Sequence, residues 1–366
     1  MENPSNPDLI MFTRGNPDTD ALPLDDIIAC ATDIFRREGR VLFQYGHYSG
    51  YGPLRQWLAD YLKADYEQVL IGNSSMEFLT FIGSALLAPG DTVWLENPSY
   101  DRAITAMRRL GARIVGLPLE ADGIDLDAMQ AAVRKQVPKL FYLVPEFQNP
   151  SGVTTSLAKR EAIAQLAREH GFYIIEDAPY RPLRYRGMDI PTFRELAPEQ
   201  TLHVCSFSKL LSPGMRVGFL IGPEALMPRL HKWSEDTYIH PTLVSEGIAY
   251  EYCRRGLLMP NITKLRALYK PRMEAMQDAL KRHLPQASWA ETDGGFFLGL
   301  TLPDNVDGNA VRENDTAFGI KLADGRGFFC DDSGTNFVRL PFCGMTAEES
   351  EEGVKRLAKL VSHYTL

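Results

Sequence analysis

Several features are missing from this chain, and each absence excludes a class of function. No apolar run reaches the roughly 18 residues that a membrane-spanning helix needs. The opening residues, Met1-Glu2-Asn3-Pro4, are polar and acidic, without the basic start and apolar centre of a secretory signal. The five cysteines (Cys30, Cys205, Cys253, Cys330, Cys343) are scattered and form no CxxC pair. An odd count without metal spacing predicts reduced thiols in a cytoplasm. The seven histidines (His47, His170, His203, His231, His240, His283, His363) show no HxxxH or HExxH spacing, so no metal site is expected. Basic residues are in deficit, 39 against 47 acidic ones, for a net charge of −8. Such a balance gives no electrostatic footprint for nucleic acid or an anionic membrane. No internal repeat or low-complexity tract is visible.

What remains is an ordinary globular composition, 45% hydrophobic and 23% charged over 366 residues. That length predicts one large and one smaller domain. Strand-like apolar runs stand at Thr92–Glu96, Arg113–Leu117, Lys139–Val144, Phe172–Glu176, Leu202–Cys205 and Val217–Ile221. Several are almost continuous, as in strands covered on both faces. Helical patterns fall between them. Pro98–Leu110 puts Ile104, Met107 and Leu110 on one face, and Leu157–His170 runs from a Ser156 cap to Gly171. The alternation predicts an α/β fold with a mostly parallel sheet, in which ligands sit beyond the carboxyl ends of the strands. A long amphipathic helix, about Ile262–His283, opens a region of different character. The expected division is therefore 41–261 as the large domain and 262–366 as the small one, with 1–40 packing on the latter.

The segment richest in chemistry is Ser206-Phe207-Ser208-Lys209-Leu210-Leu211-Ser212-Pro213-Gly214-Met215-Arg216-Val217-Gly218. A buried lysine amine has a lowered pKa, can condense with an aldehyde and can shuttle protons. Ser206, Ser208 and Arg216 are donors suited to a phosphate dianion. This segment resembles the S-x-S-K-x-x-x-P-G-x-R-x-G signature of class I/II aminotransferases dependent on pyridoxal 5'-phosphate (PLP). Three further segments match in order: Gln148-Asn149-Pro150-Ser151-Gly152 is similar to Q-N-P-T-G, Asp177-Ala178-Pro179-Tyr180 to D-x-x-Y, and Val338-Arg339-Leu340 to I-R-L. The likeness runs from about Gly15 to the C-terminus and points to the subgroup of 2-aminoadipate, kynurenine and broad-specificity enzymes.

The resemblance implies the PLP-dependent transferase fold type I and a role for each matched residue. Lys209 would hold the cofactor as a Schiff base and move the α-proton. Asp177 would pair with the protonated pyridine nitrogen and keep the ring an electron sink. Asn149 and Tyr180 would bond its phenolic oxygen, and Tyr100 would stack on its face. The turn Asn73-Ser74-Ser75-Met76 precedes a helical run, Phe78–Leu87, where backbone amides suit a phosphate. Asn73 stands there in place of the family's glycine. Tyr45 opens a Y-G-x-x-x-G-x-G-x-L-R stretch and, in the family, reaches the neighbouring subunit's phosphate, which implies a homodimer. Arg339 would bind the substrate α-carboxylate with two parallel hydrogen bonds. Gly15, in Gly15-Asn16-Pro17, would border the substrate, and Arg14 is placed to read a distal carboxylate.

The activity so implied moves an amino group from an L-amino acid to a 2-oxo acid, with 2-oxoglutarate the expected acceptor. The same scaffold also supports elimination, cyclisation or oxidation, and nothing in the motifs separates these. A ligand sensor with an aminotransferase-like body is a third reading, disfavoured by the lack of both a basic patch and an extension long enough for a DNA-binding module.

Overall fold

The computed structural model describes residues 8–13 and 15–366. The chain opens with strand β1 (Ile10–Phe12) and helices α1 (Leu24–Leu42) and α2 (Gly52–Leu62). Then come β2 (Val69–Gly72), α3 (Ser75–Leu86), β3 (Thr92–Asn97), α4 (Asp101–Arg109), β4 (Arg113–Glu120), β5 (Gly123–Ile124), α5 (Leu126–Lys135) and β6 (Leu140–Leu143). The middle holds α6 (Leu157–His170), β7 (Tyr173–Asp177), the short α7 (Phe193–Leu196), β8 (Thr201–Ser206) and β9 (Gly218–Ile221). Helices α8 (Met227–Tyr238), α9 (Leu243–Arg254) and α10 (Leu258–His283) lead to β10 (Ser288–Trp289), β11 (Phe297–Thr301), α11 (Gly308–Glu313), β12 (Ile320–Leu322), β13 (Phe337–Pro341) and α12 (Ala347–His363).

Eight strands form one sheet in the order β2-β9-β8-β7-β6-β3-β4-β5. From β8 through β7, β6 and β3 to β4 every pairing is parallel, and β9, β2 and β5 add antiparallel edges. Strands β6, β8 and β9 are buried along their whole length, which explains their continuous apolar runs. Helix α6 occupies the residues expected and ends on Gly171 in the left-handed region. Ser156 caps it without a side-chain bond to the backbone. Helix α4 begins three residues later than its pattern suggested, because Tyr100 is held extended as its N-cap.

The apolar interior changes hands inside α10. Leu258, Ile262, Leu265 and Tyr269 pack into the core around the large sheet. Met273, Met276 and Leu280, past Pro271, pack into a second core with β11, β13 and α12. The N-terminal segment is likewise shared. Phe12 belongs to the second core and β1 pairs with β12, whereas Cys30, Ile34 and Leu42 of α1 join the first.

Candidate active site

A cavity of 580 Å³ opens beyond the carboxyl ends of β3, β6, β7 and β8, where an α/β sheet is expected to bind its ligand. It gathers residues from all parts of the chain: Gly15, Ser74, Ser75, Met76, Tyr100, Asn149, Asp177, Tyr180, Ser206, Ser208, Lys209, Arg216 and Arg339. Tyr45 does not line it. That ring is 76% exposed and sits edge-on to His240 in a separate groove. Arg14 lies outside the described residues.

Lys209 ends the short turn after β8, and its Nζ reaches the Gly15 carbonyl at 3.4 Å. Burial lowers its pKa, and the nearby guanidinium groups of Arg216 and Arg339 push the same way. Asp177 closes β7. Its Oδ2 accepts the Tyr142 hydroxyl at 2.8 Å, while Oδ1 is buried without a hydrogen-bond partner among the described residues. Burial raises this carboxyl to about 6.

The anion-binding corner joins two loops. Ser206 Oγ bonds Ser208 Oγ at 2.8 Å and accepts the Ser208 amide at 3.0 Å. Arg216 has a φ of 55°, a left-handed conformation that is uncommon for a side-chain-bearing residue. Across from them helix α3 begins at Ser75 without a side-chain cap, so its first amides can serve an anion. Gly218 allows this closeness. A Cβ there would sit 2.6 Å from the Ser75 amide nitrogen and 2.7 Å from the Ser74 carbonyl carbon.

At the other end of the cavity, Arg339 is 8% exposed. Its Nη1 donates to Asn149 Oδ1 at 3.0 Å and its Nη2 to the Thr13 carbonyl at 2.6 Å. The guanidinium carbon lies 4.7 Å from the Phe297 ring centre and 4.6 Å from that of Phe328, within cation–π range of both. Asn149 is carried by a turn whose Phe147 also has a left-handed φ of 51°. Gly294 and Gly295 pack on that ring. Gly295, with φ of 72°, would bring a Cβ within 2.4 Å of Phe147 Cβ.

The family model for aminotransferase class I and II matches residues 7–357. The chain belongs to the class I and II aminotransferases. It is 32% identical to the 2-aminoadipate transaminase of Thermus thermophilus over 359 residues, 96% of this chain and 90% of that protein. It is 29% identical to aromatic-amino-acid aminotransferase 1 of Thermococcus litoralis, over 97% of this chain and 88% of that one. Among solved structures, the α-aminoadipate aminotransferase LysN of Thermus thermophilus, complexed with N-(5'-phosphopyridoxyl)-L-leucine, superposes with a TM-score of 0.92. That match is 30% identical and covers 98% of this chain and 93% of that one. The fold is therefore that of the PLP-dependent fold type I enzymes, and this aminotransferase uses PLP to exchange an amino group between an amino acid and a 2-oxo acid.

The residues present fit that cofactor. The unpartnered Asp177 Oδ1 offers a buried acceptor for a protonated ring nitrogen. The uncapped start of α3, the two serines and Arg216 supply donors for a phosphate. Lys209 shares the same cavity. Tyr142, Thr13, Phe297 and Phe328 also belong to the site and carry no mark of it in the sequence. Tyr142 lies in a strand buried on both faces, so no alternation marks it. Phe328 comes from a short turn far along the chain.

Proposed function

We propose that this aminotransferase takes 2-aminoadipate, glutamate and aromatic amino acids as donors and 2-oxoglutarate as acceptor. The donor range follows the names of its relatives, a 2-aminoadipate transaminase and an aromatic-amino-acid aminotransferase. The observation that carries the reading is the shared cavity of Lys209, the free oxygen of Asp177 and the guanidinium of Arg339. When bound, PLP supplies an aldehyde for the amine and a ring that spreads the charge left by a departing α-proton.

The protein's own groups supply the rest. Arg339 binds the α-carboxylate through a bidentate pair, and its stacked rings fix the plane of approach. Lys209 Nζ, its pKa lowered by burial, holds the α-proton and delivers it to the other carbon of the exchange. Asp177 anchors the ring nitrogen, with Tyr142 orienting its carboxylate. Ser74, Ser75, Met76, Ser206, Ser208 and Arg216 bind the phosphate, Tyr100 covers one face of the ring, and Asn149 and Tyr180 bond its phenolic oxygen. Gly15 borders the donor's side chain, and Arg14 is proposed to read a distal carboxylate.

The working unit in this reading is a homodimer, with Tyr45 completing the partner's phosphate site. Support comes from the exposed Phe43 and Tyr45, which line one open groove together with Leu243 and Val244. The five unpaired cysteines suit a reducing cytoplasm.

The test is the absorbance of the purified, PLP-loaded protein as single amino acids are added without acceptor. Accepted donors bleach the yellow band, and 2-oxoglutarate restores it. Lys209→Ala lowers the bleaching rate by about 10²–10⁴-fold or more, the usual scale for a lost general acid–base group. Ammonia release with an unbleached band would overturn the reading in favour of elimination.

A further inference from the structure

Strands β3 and β6 pair in register only as far as Leu95 and Tyr142. Beyond that point the backbone ladder stops, and the two chain segments diverge toward the cavity. One continues through Glu96, Asn97, Pro98 and Ser99 to Tyr100. The other continues through Val144, Pro145, Glu146, Phe147 and Gln148 to Asn149. Two fully buried side chains bridge the gap. Glu96 Oε2 accepts the Val144 amide at 3.0 Å and the Gln148 side-chain amide at 3.0 Å. Gln148 Nε2 also donates to the Pro98 carbonyl at 2.8 Å. Its Oε1 accepts the Ser151 amide at 2.9 Å and the Ser151 hydroxyl at 2.6 Å. Glu96 Oε1 has no hydrogen-bond partner among the described residues.

We propose that Glu96 is a positioning residue, which through Gln148 and the Val144 amide locks the Asn149 turn to the Tyr100 loop. The inference rests on the reading of Asn149 as a partner of the cofactor's phenolic oxygen. A turn held only by its own chain would need another restraint, because Phe147 keeps a left-handed backbone. The bridge acts as a neutral strut. Full burial pushes the Glu96 carboxyl up to about 8, and the neighbouring Asp177 adds to this. A protonated carboxyl still accepts both N–H groups on one oxygen, and a glutamine amide in its place does the same.

The experiment compares Glu96→Gln, Glu96→Ala, Asn149→Ala and the double variant Glu96→Ala/Asn149→Ala as PLP-loaded enzymes. The readouts are the pH midpoint of the cofactor's visible band, kcat against KM for one good donor, and the thermal midpoint. Glu96→Ala is expected to raise the band's pH midpoint in the same direction as Asn149→Ala, and to lower kcat about tenfold or more through misplacement. Glu96→Gln, the conservative variant, rescues both. The double variant shows the midpoint of Asn149→Ala alone, since Glu96 acts through that residue. A Glu96→Ala enzyme with a lowered thermal midpoint but an unmoved band and kcat overturns the inference, as does a double variant whose shift is the sum of the two. An unmoved band in Asn149→Ala defeats the underlying reading and the inference with it. Should Glu96→Ala not fold, Glu96→Met keeps most of the side-chain volume while removing the same acceptor, and the same criteria apply.

Discussion

At the scale of single residues, the site buries its acid and the cation opposite it, with Asp177 5% and Arg339 8% exposed. Asp177 is raised to about 6 by burial, so a cationic partner on its free oxygen draws it back to the ionised form. Glu246 of α9 shows the cost of a buried acid with no such partner. It is fully buried, its Oε2 accepts the Tyr51 amide, and its Oε1 is unpartnered among the described residues. Burial pushes it up to about 8, opposed by the Tyr51 bond and Arg55 and reinforced by Glu77. The folded chain keeps this proton where the unfolded chain, with an ordinary value of 4.5, has released it. The associated stability is therefore full below 4.5 and is lost as pH rises through about 8. Glu246→Gln removes that loss. Its thermal midpoint should exceed the wild type's by a margin that widens from pH 5 to 8 and then levels. Parallel pH curves for the two proteins would show that Glu246 is ionised throughout.

At the scale of elements, the phosphate corner depends on β9 running directly beneath the start of α3. The register Gly72–Gly218 brings the two together, and the missing side chain at 218 leaves room for the Ser74–Ser75 backbone. Gly218 is not in the left-handed region, so sterics alone constrain it. In Gly218→Ala the methyl meets backbone atoms, which cannot rotate away. Overpacking of this kind costs about 1–3 kcal/mol, and we expect it to fall on the α3 start. PLP should bind about tenfold more weakly or worse, with a smaller drop in the thermal midpoint of the apo chain. Titration of the apo protein with PLP checks this, and unchanged affinity would mean that α3 does not bind the phosphate.

At the scale of the whole molecule, Tyr45 is the one described site candidate outside the cavity, and the proposed homodimer would give it a role. If each site borrows Tyr45 from its neighbour, two defective variants can repair one another. Lys209→Ala and Tyr45→Ala chains, co-expressed in equal amounts, form mixed dimers with one intact site. Random pairing then gives about a quarter of all sites wild-type cofactor affinity and turnover, while either variant alone gives none. Activity no greater than the mean of the separate variants would show that each subunit completes its own site.

The sequence by itself determined the parallel sheet, because strands covered on both faces must be apolar throughout and helices must punctuate them. It also grouped Ser206, Ser208, Lys209 and Arg216, which share the cavity, since they lie within one short segment and need no long-range folding to be recognised together. Asp177 was legible for the same reason, as the residue that ends a buried strand. Only the tertiary structure decided what meets across the cavity. Phe297 and Phe328 flank Arg339 although each comes from a different element, and Thr13 reaches the same guanidinium from the far end of the chain. Glu96 and Gln148, 52 positions apart, replace a ladder that ends one residue earlier. Tyr142 points at Asp177 from a strand whose uniform burial erases any periodic sign of it. Local pattern fixes which elements form, since propensity and burial act over neighbouring residues. Which side chains face one another depends on register and packing between distant segments, and one string of residues carries no local mark of either.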